Sequence, residues 1–188
     1  MGRWEPNARG RLEKAALELY SERGYDQTTV AEIAERAGLT ERTFFRHFAD
    51  KREVLFGGQD SLRELIVTTL ASAPGSTAPI EVVGAGIRAA GATLQEYQDR
   101  VRQRQAVIAA NAELQERELI KLATLATAIA AALRQRGVTD PAAGLAGQAG
   151  VAVFRIAFER WISQPGGRDL PQLIQESLDE LRAVTAGG

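Results

Sequence analysis

The sequence predicts an all-α protein of about nine helices: a three-helix N-terminal unit containing a helix-turn-helix, followed by a helical bundle. Two observations carry this. Apolar residues recur at spacings of three and four along most of the chain, and no stretch shows the strict alternation of a strand. Helix start signals (Ser, Thr, Asp or Asn, with Glu three residues on) and glycine stops divide the chain at short intervals.

Residues 1 to 8 read as a loose arm whose Arg3, with Arg9 and Arg11 just after it, is placed to touch a nucleic-acid backbone. For Arg3 a solvated terminus explains the residue equally well. The first helix is expected from about residue 8 to 23, with Leu12, Ala15, Ala16, Leu19 and Tyr20 on one face and Gly24 ending it. Thr29 and Glu32 fit a capping box, so a second helix begins after Thr29 and buries Val30, Ile33, Ala34 and Ala37. Gly38 stops it. Thr40 caps a third helix, with Leu39 before it able to staple onto Phe44. Asp50 and Glu53 repeat the capping signal, and a longer helix is expected from Asp50 to about Ala71.

Two short helices joined by a glycine-containing turn form the helix-turn-helix pattern. The second of them has a divided surface. Phe44 and Phe48 face inward, whereas Arg42 and Arg46 point away from them, flanked by Thr43 and Phe45. Outward arginines suit the major groove, where a guanidinium can contact guanine bidentately. Solvation is the plainer alternative for both, but a purely structural unit has no need of two arginines on the face opposite its core. Phe45 either packs on thymine methyl or sugar, or fills the edge of the small core. Thr29 and Thr40 are explained by capping alone, and a phosphate held near the same amides would add to it.

The segment Gly38 to Phe48 (GLTERTFFRHF), followed by Lys51, resembles the DNA-binding segment of the tetracycline-repressor (TetR) family of bacterial regulators. Gly24-Tyr25, Thr28-Thr29 and Ile33-Ala34 also fall in register, and the close match covers roughly residues 9 to 56. The resemblance implies phosphate contacts by His47 and Lys51. It implies a dimer interface on the last two helices, and a small-molecule effector held in the bundle. One departure is Phe45, where the family usually has tyrosine; a hydroxyl contact there is absent.

Composition sets bounds on other functions. The 188 residues are 45% apolar and 25% charged, which is ordinary for a globular protein. With no cysteine there is no disulfide framework or thiolate chemistry, and the single histidine, His47, cannot build a zinc site. No nucleophile–base set, metal ligand set or phosphate loop is apparent, so no catalytic residue, metal or cofactor is expected. No leader or membrane span is recognised, and a cytoplasmic, soluble protein is expected. The net charge is −1, and residues 1 to 56 carry 10 Lys+Arg against 10 Asp+Glu. Bulk charge therefore argues mildly against nucleic-acid binding; the case rests on where the charges sit.

Ser72 to Pro79 (SAPGSTAP) is the clearest linker. Beyond it the expected helices run to about Tyr97, from about Asp99 to Ala110, and from an Asn111 cap to Arg136. The next starts at Asp140-Pro141 and stops before Pro165, and the last runs from an Asp169 cap to about Thr185. In the helix before Pro165, Gly144, Gly147 and Gly150 allow close approach, and apolar residues cover nearly the whole circumference. Val151, Phe154, Phe158 and Trp161, with Leu178 and Leu181 of the last helix, are the expected dimer interface; burial inside one chain is the alternative.

The expected domains are 1–50 for DNA binding and 51–188 for ligand binding and dimerisation, joined by the helix from Asp50. The leading function is a ligand-responsive regulator, a repressor, that binds double-stranded operator DNA as a homodimer. Its recognition helices would enter grooves about 34–36 Å apart on a near-palindrome. A small apolar organic effector, an acyl chain or aromatic compound, would release it by shifting the helix from Asp50. The alternative is a small-molecule-binding helical dimer without specific DNA binding.

Overall fold

A computed structural model describes residues 7–164 and 166–186. Among these residues there are nine α-helices and no strand. They are α1 (Ala8–Arg23), α2 (Val30–Arg36), α3 (Glu41–His47), α4 (Gln59–Ser72), α5 (Pro79–Glu96), α6 (Gln98–Ala109), α7 (Ala112–Gln135), α8 (Asp140–Ser163) and α9 (Leu170–Ala186). The chain divides into two compact units: Met1–Gln59 with Asp99–Glu116, and Asp60–Gln98 with Arg117–Gly188.

In the first unit, α1 packs on α2, α3 and a 3-10 turn at Glu53–Phe56. The local signals act as their chemistry dictates. Thr29 Oγ1 accepts from Glu32 N at 3.3 Å, and Glu32 Oε2 accepts from Thr29 N at 2.9 Å, closing the capping box. Thr40 Oγ1 accepts from Thr43 N at 3.2 Å. Between α2 and α3, Gly38 takes φ 65°, a left-handed conformation that costs glycine nothing. Leu12, Ile33, Phe44, Phe48 and Phe56 fill the core. They are joined by Val107 and Ile108 of α6 and Leu114 of α7, which sequence spacing did not place here.

The helix expected from Asp50 does not form as one piece. Asp50 Oδ1 accepts from the amides of Arg52 (2.8 Å) and Glu53 (3.1 Å) and starts a turn, as its capping chemistry requires. That turn is 3-10, and α4 begins only at Gln59. Gly57 and Gly58 interrupt it, glycine being among the poorest helix formers. The Gly57 carbonyl is also taken by the Arg9 guanidinium, at 2.6 Å.

In the second unit, α5, α8 and α9 pack against one another. A Cβ at Gly147 of α8 would lie 2.6 Å from the Ala126 carbonyl oxygen of α7, so only glycine allows this approach. Asp169 Oδ1 caps α9 by accepting from Gln172 N at 2.8 Å. Asn111 does not cap α7 with its side chain; its amide donates to Val107 O at 2.7 Å, extending the hydrogen bonding of α6. Thr139, not Asp140, precedes α8, which places Pro141 within the first turn. Arg136, just past α7, donates to the carbonyls of Leu70 (2.9 Å), Ala73 (2.7 Å) and Pro74 (2.8 Å), satisfying the C-terminal end of α4.

By length and composition α8 is apolar enough to cross a membrane. Here that apolarity divides between two faces. Ala143, Ala146, Gly147, Gly150, Val153, Ala157 and Trp161 are buried within the unit, whereas Leu145 is 72% and Ile156 50% exposed. Part of the expected dimer interface is thus already covered within one chain. Trp161 and Leu178 are each 1% exposed in a single chain. Trp161 lies on the same stripe of α8 as Gly150, which faces Val83 and Ile87 of α5, and Leu178 Cδ1 lies against Gly84 of α5. Val151, Phe154, Phe158 and Leu181 are half-buried, with Phe158 packed between Phe154 and Trp161.

Candidate DNA-binding face

Helix α3 is short, and its direction is set at both ends. Thr40 caps the start, and Phe44 (fully buried) and Phe48 (4% exposed) pin the inner face. Arg42, Phe45 and Arg46 are exposed on the other side. Phe45 is 55% exposed and stands edge-on to Phe44, with ring centroids 5.4 Å apart and planes at 81°. An aromatic ring held rigidly in water has apolar area available for a partner. Thr43 is half-buried, its hydroxyl 3.1 Å from that of Thr40.

The unit's other cations already have partners. Arg23 pairs with Glu32 (2.9 Å), Arg36 grips both carboxylate oxygens of Glu22 (3.1 and 2.9 Å), and Lys14 lies 3.9 Å from Glu18. Arg9 binds Glu13 and the Gly57 carbonyl, and Arg11 donates to the Ala37 carbonyl, clamping the turn between α2 and α3. Arg52 pairs with Asp50 and Glu113, Arg100 with Glu13, and Arg104 with the Leu55 carbonyl; Arg102 is also engaged. Among the described residues of this unit, Arg42 and Arg46 are the cations without a hydrogen bond or ion pair. Arg3 lies outside the described residues.

Two expected contacts change character. Lys51 Nζ donates to the carbonyls of Tyr25 (3.0 Å) and Thr28 (3.2 Å), with Asp26 O at 3.5 Å, and lies 4.3 Å from the Tyr25 ring centroid. Its three donors serve the loop between α1 and α2. Tyr20 holds the same residue from the backbone side, its hydroxyl donating to Lys51 O at 2.6 Å. Lys51→Ala is therefore expected to lower stability by about 1–3 kcal/mol, in urea unfolding, through loss of charge-assisted bonds. The slope of log affinity against log salt should stay unchanged; a slope reduced by about 1 would restore Lys51 as a phosphate contact.

His47 closes α3, half-buried, with Nε2 shielded from solvent and unpartnered. Burial holds its pKa below the usual histidine value, and the positive charges of Arg46 and Arg9 push the same way. At neutral pH it is a neutral ring offering hydrogen bonds and no charge.

Residues 12–56 match the family described as bacterial regulatory proteins, tetR family, and residues 77–186 match the MftR C-terminal domain. The HTH-type transcriptional regulator TcmR of Streptomyces glaucescens is 38% identical over 81 residues, 43% of this chain and 36% of TcmR. The chain thus matches only about a third of that curated relative's length. Two solved structures cover nearly the whole fold. The Thermus thermophilus FadR, a TetR-family repressor in complex with lauroyl-CoA, is 27% identical with a TM-score of 0.56, covering 92% of each chain. SmeT, the repressor of a Stenotrophomonas maltophilia multidrug efflux pump, is 22% identical with a TM-score of 0.62, covering 94% of this chain and 89% of SmeT. With a helix-turn-helix at one end and a matched regulatory domain over most of the remainder, the chain belongs to the tetR family of bacterial transcriptional regulators.

Proposed function

We propose that this protein is a cytoplasmic, ligand-responsive repressor that binds a near-palindromic operator as a homodimer and leaves it when a small apolar effector binds. The observation that carries the reading is the pair of unpartnered arginines on the outer face of α3, in a unit whose other described cations are engaged. We assign base contact to Arg42 and Arg46. Phe45 makes apolar contact with thymine methyl or sugar, and Thr29, Thr40, Thr43 and His47 hydrogen-bond to phosphate. Residues 1–50 supply these contacts, and 51–188 the effector site and the dimer. Selection of bound genomic fragments with the purified protein tests the reading. Enrichment of one near-palindromic sequence supports it; uniform recovery of fragments favours a ligand-binding dimer without sequence-specific DNA binding.

The effector class is an organic molecule with a long apolar part, an acyl thioester among the first to try. Support comes from the FadR of Thermus thermophilus, held with lauroyl-CoA, and from an apolar interior of Leu, Ile, Val and Ala in the second unit.

For the dimer, the outward stripe of α8 replaces the buried residues. Leu145, Ala149, Ala152 and Ile156 fall at i, i+4, i+7 and i+11, the spacing of a seam that a second copy of the helix can cover. Ile156→Glu is expected to convert the dimer to a folded monomer in light scattering at micromolar concentration, since burying an unpaired carboxylate costs several kcal/mol. A dimer of unchanged stability would remove the stripe from the interface.

A further inference from the structure

Among the described residues of the first unit, Phe45 is the one large apolar side chain that is exposed, at 55%. The ring is not loose. It rests edge-on against Phe44, which is fully buried, with centroids 5.4 Å apart. An aromatic side chain held in this way loses little conformational entropy when a partner covers it.

Its place on α3 narrows what that partner can be. Phe45 follows Arg42 by three residues, which is about 60° around the helix and about 4.5 Å along its axis. A base pair occupies about 3.4 Å of duplex. With Arg42 on a guanine, Phe45 reaches the same base pair or the next one, at the floor of the major groove. The apolar group that distinguishes base pairs there is the C5-methyl of a pyrimidine; the rest of the groove's code consists of donors and acceptors. The ring chemistry matches. Where the family usually has tyrosine, Phe45 has no hydroxyl that must keep a hydrogen-bond partner. Its edge can be fully desolvated against a methyl group.

We propose that Phe45 reads the 5-methyl group of a pyrimidine beside the base pair contacted by Arg42. This rests on the regulator reading above and narrows it: the ring meets a base, not a sugar. Thymine always carries that methyl. Cytosine carries it only when methylated at C5, and then presents it at the same place in the groove. A cytosine at this position therefore makes operator affinity depend on its methylation, with 5-methylcytosine bound more tightly than cytosine.

The test uses the full-length protein and the operator recovered by fragment selection, remade from synthetic strands, with affinity read by fluorescence anisotropy at fixed salt. Each thymine of the half-site is replaced in turn by deoxyuridine, in both halves. This removes the methyl and keeps the pairing and the O4 acceptor. At one position affinity should fall about fourfold per half-site, about fifteenfold for the two together, which corresponds to burying one methyl group at each. With cytosine at that position, methylation at C5 should raise affinity by about fourfold per half-site. In Phe45→Ala, thymine and deoxyuridine should bind equally, as should cytosine and 5-methylcytosine. Thermal unfolding checks that this exposed substitution leaves the fold intact.

An unmodified protein that binds its operator equally with deoxyuridine at every thymine overturns the proposal and puts the ring on sugar. Methyl sensitivity that persists in Phe45→Ala overturns it too, because another side chain then reads the group. A loss with deoxyuridine but no gain from 5-methylcytosine over cytosine overturns the dependence on methylation. These outcomes leave the regulator reading standing. A protein that binds no operator ends that reading, and this proposal with it.

Discussion

Arg46→Ala and Arg42→Ala should each lower operator affinity by about 1–3 kcal/mol per base contact. A two-fold dimer would make each contact twice, so the expected total is about 2–6 kcal/mol, roughly 30- to 20,000-fold. Stability should not change, because both side chains are exposed and neither has an intramolecular partner. Fluorescence anisotropy with a labelled operator, at fixed salt, reads the loss; thermal unfolding provides the control. The salt dependence is a second readout. The two unpartnered cations among the described residues of the first unit account for up to about four charges per dimer, so replacing both should make the slope of log affinity against log salt shallower by about 4 at most. Unchanged affinity in both alanine variants would remove α3 as the recognition helix.

Trp161→Ala should destabilise the second unit by about 3–5 kcal/mol, the usual range for removing a large buried aromatic. Its ring is 1% exposed and packs on Phe158, with centroids 5.8 Å apart. Far-UV circular dichroism in urea is the appropriate measurement, since the variant loses a main fluorophore. The comparison with Ile156→Glu separates two roles on one helix: Trp161→Ala lowers the unfolding midpoint even where the protein is monomeric, whereas Ile156→Glu changes the assembly and leaves a folded chain. A Trp161→Ala protein with a wild-type midpoint would contradict its burial.

What could be read from the sequence was short in range. Thr29, Thr40, Asp50 and Asp169 cap turns two or three residues ahead, so spacing alone reveals them. Phe44 and Phe48, opposed to Arg42 and Arg46, follow from helical periodicity within one element. What local spacing does not reveal is partners far along the chain. Lys51 reaches carbonyls 23 to 26 residues earlier, and no local pattern announces that its donors are taken. Trp161 and Leu178 sit on helices apolar enough to face either a neighbour in the same chain or a second copy; which side the chain covers is a property of the packed unit. Ile108 and Leu114 fit any amphipathic helix. Their place in the core of a unit that begins about a hundred residues earlier depends on topology. The cap at Asp50 announces a helix start but not its length: it begins only a 3-10 turn, and the helix proper starts after the glycine pair at 57–58.

The paired charges of the first unit bear on how a DNA-binding regulator behaves in a cell. A chromosome offers about a million or more competing sites, all with the same phosphate backbone. A surface bristling with unneutralised cations spends most of its time on them. Here the ion pairs of Arg23, Arg36 and Arg52 lower that general attraction while Arg42 and Arg46 keep their reach toward base edges. For a repressor of the kind proposed, fewer molecules would then be sequestered along random DNA, a small number of copies would keep the operator occupied, and a modest pool of effector would be enough to empty it.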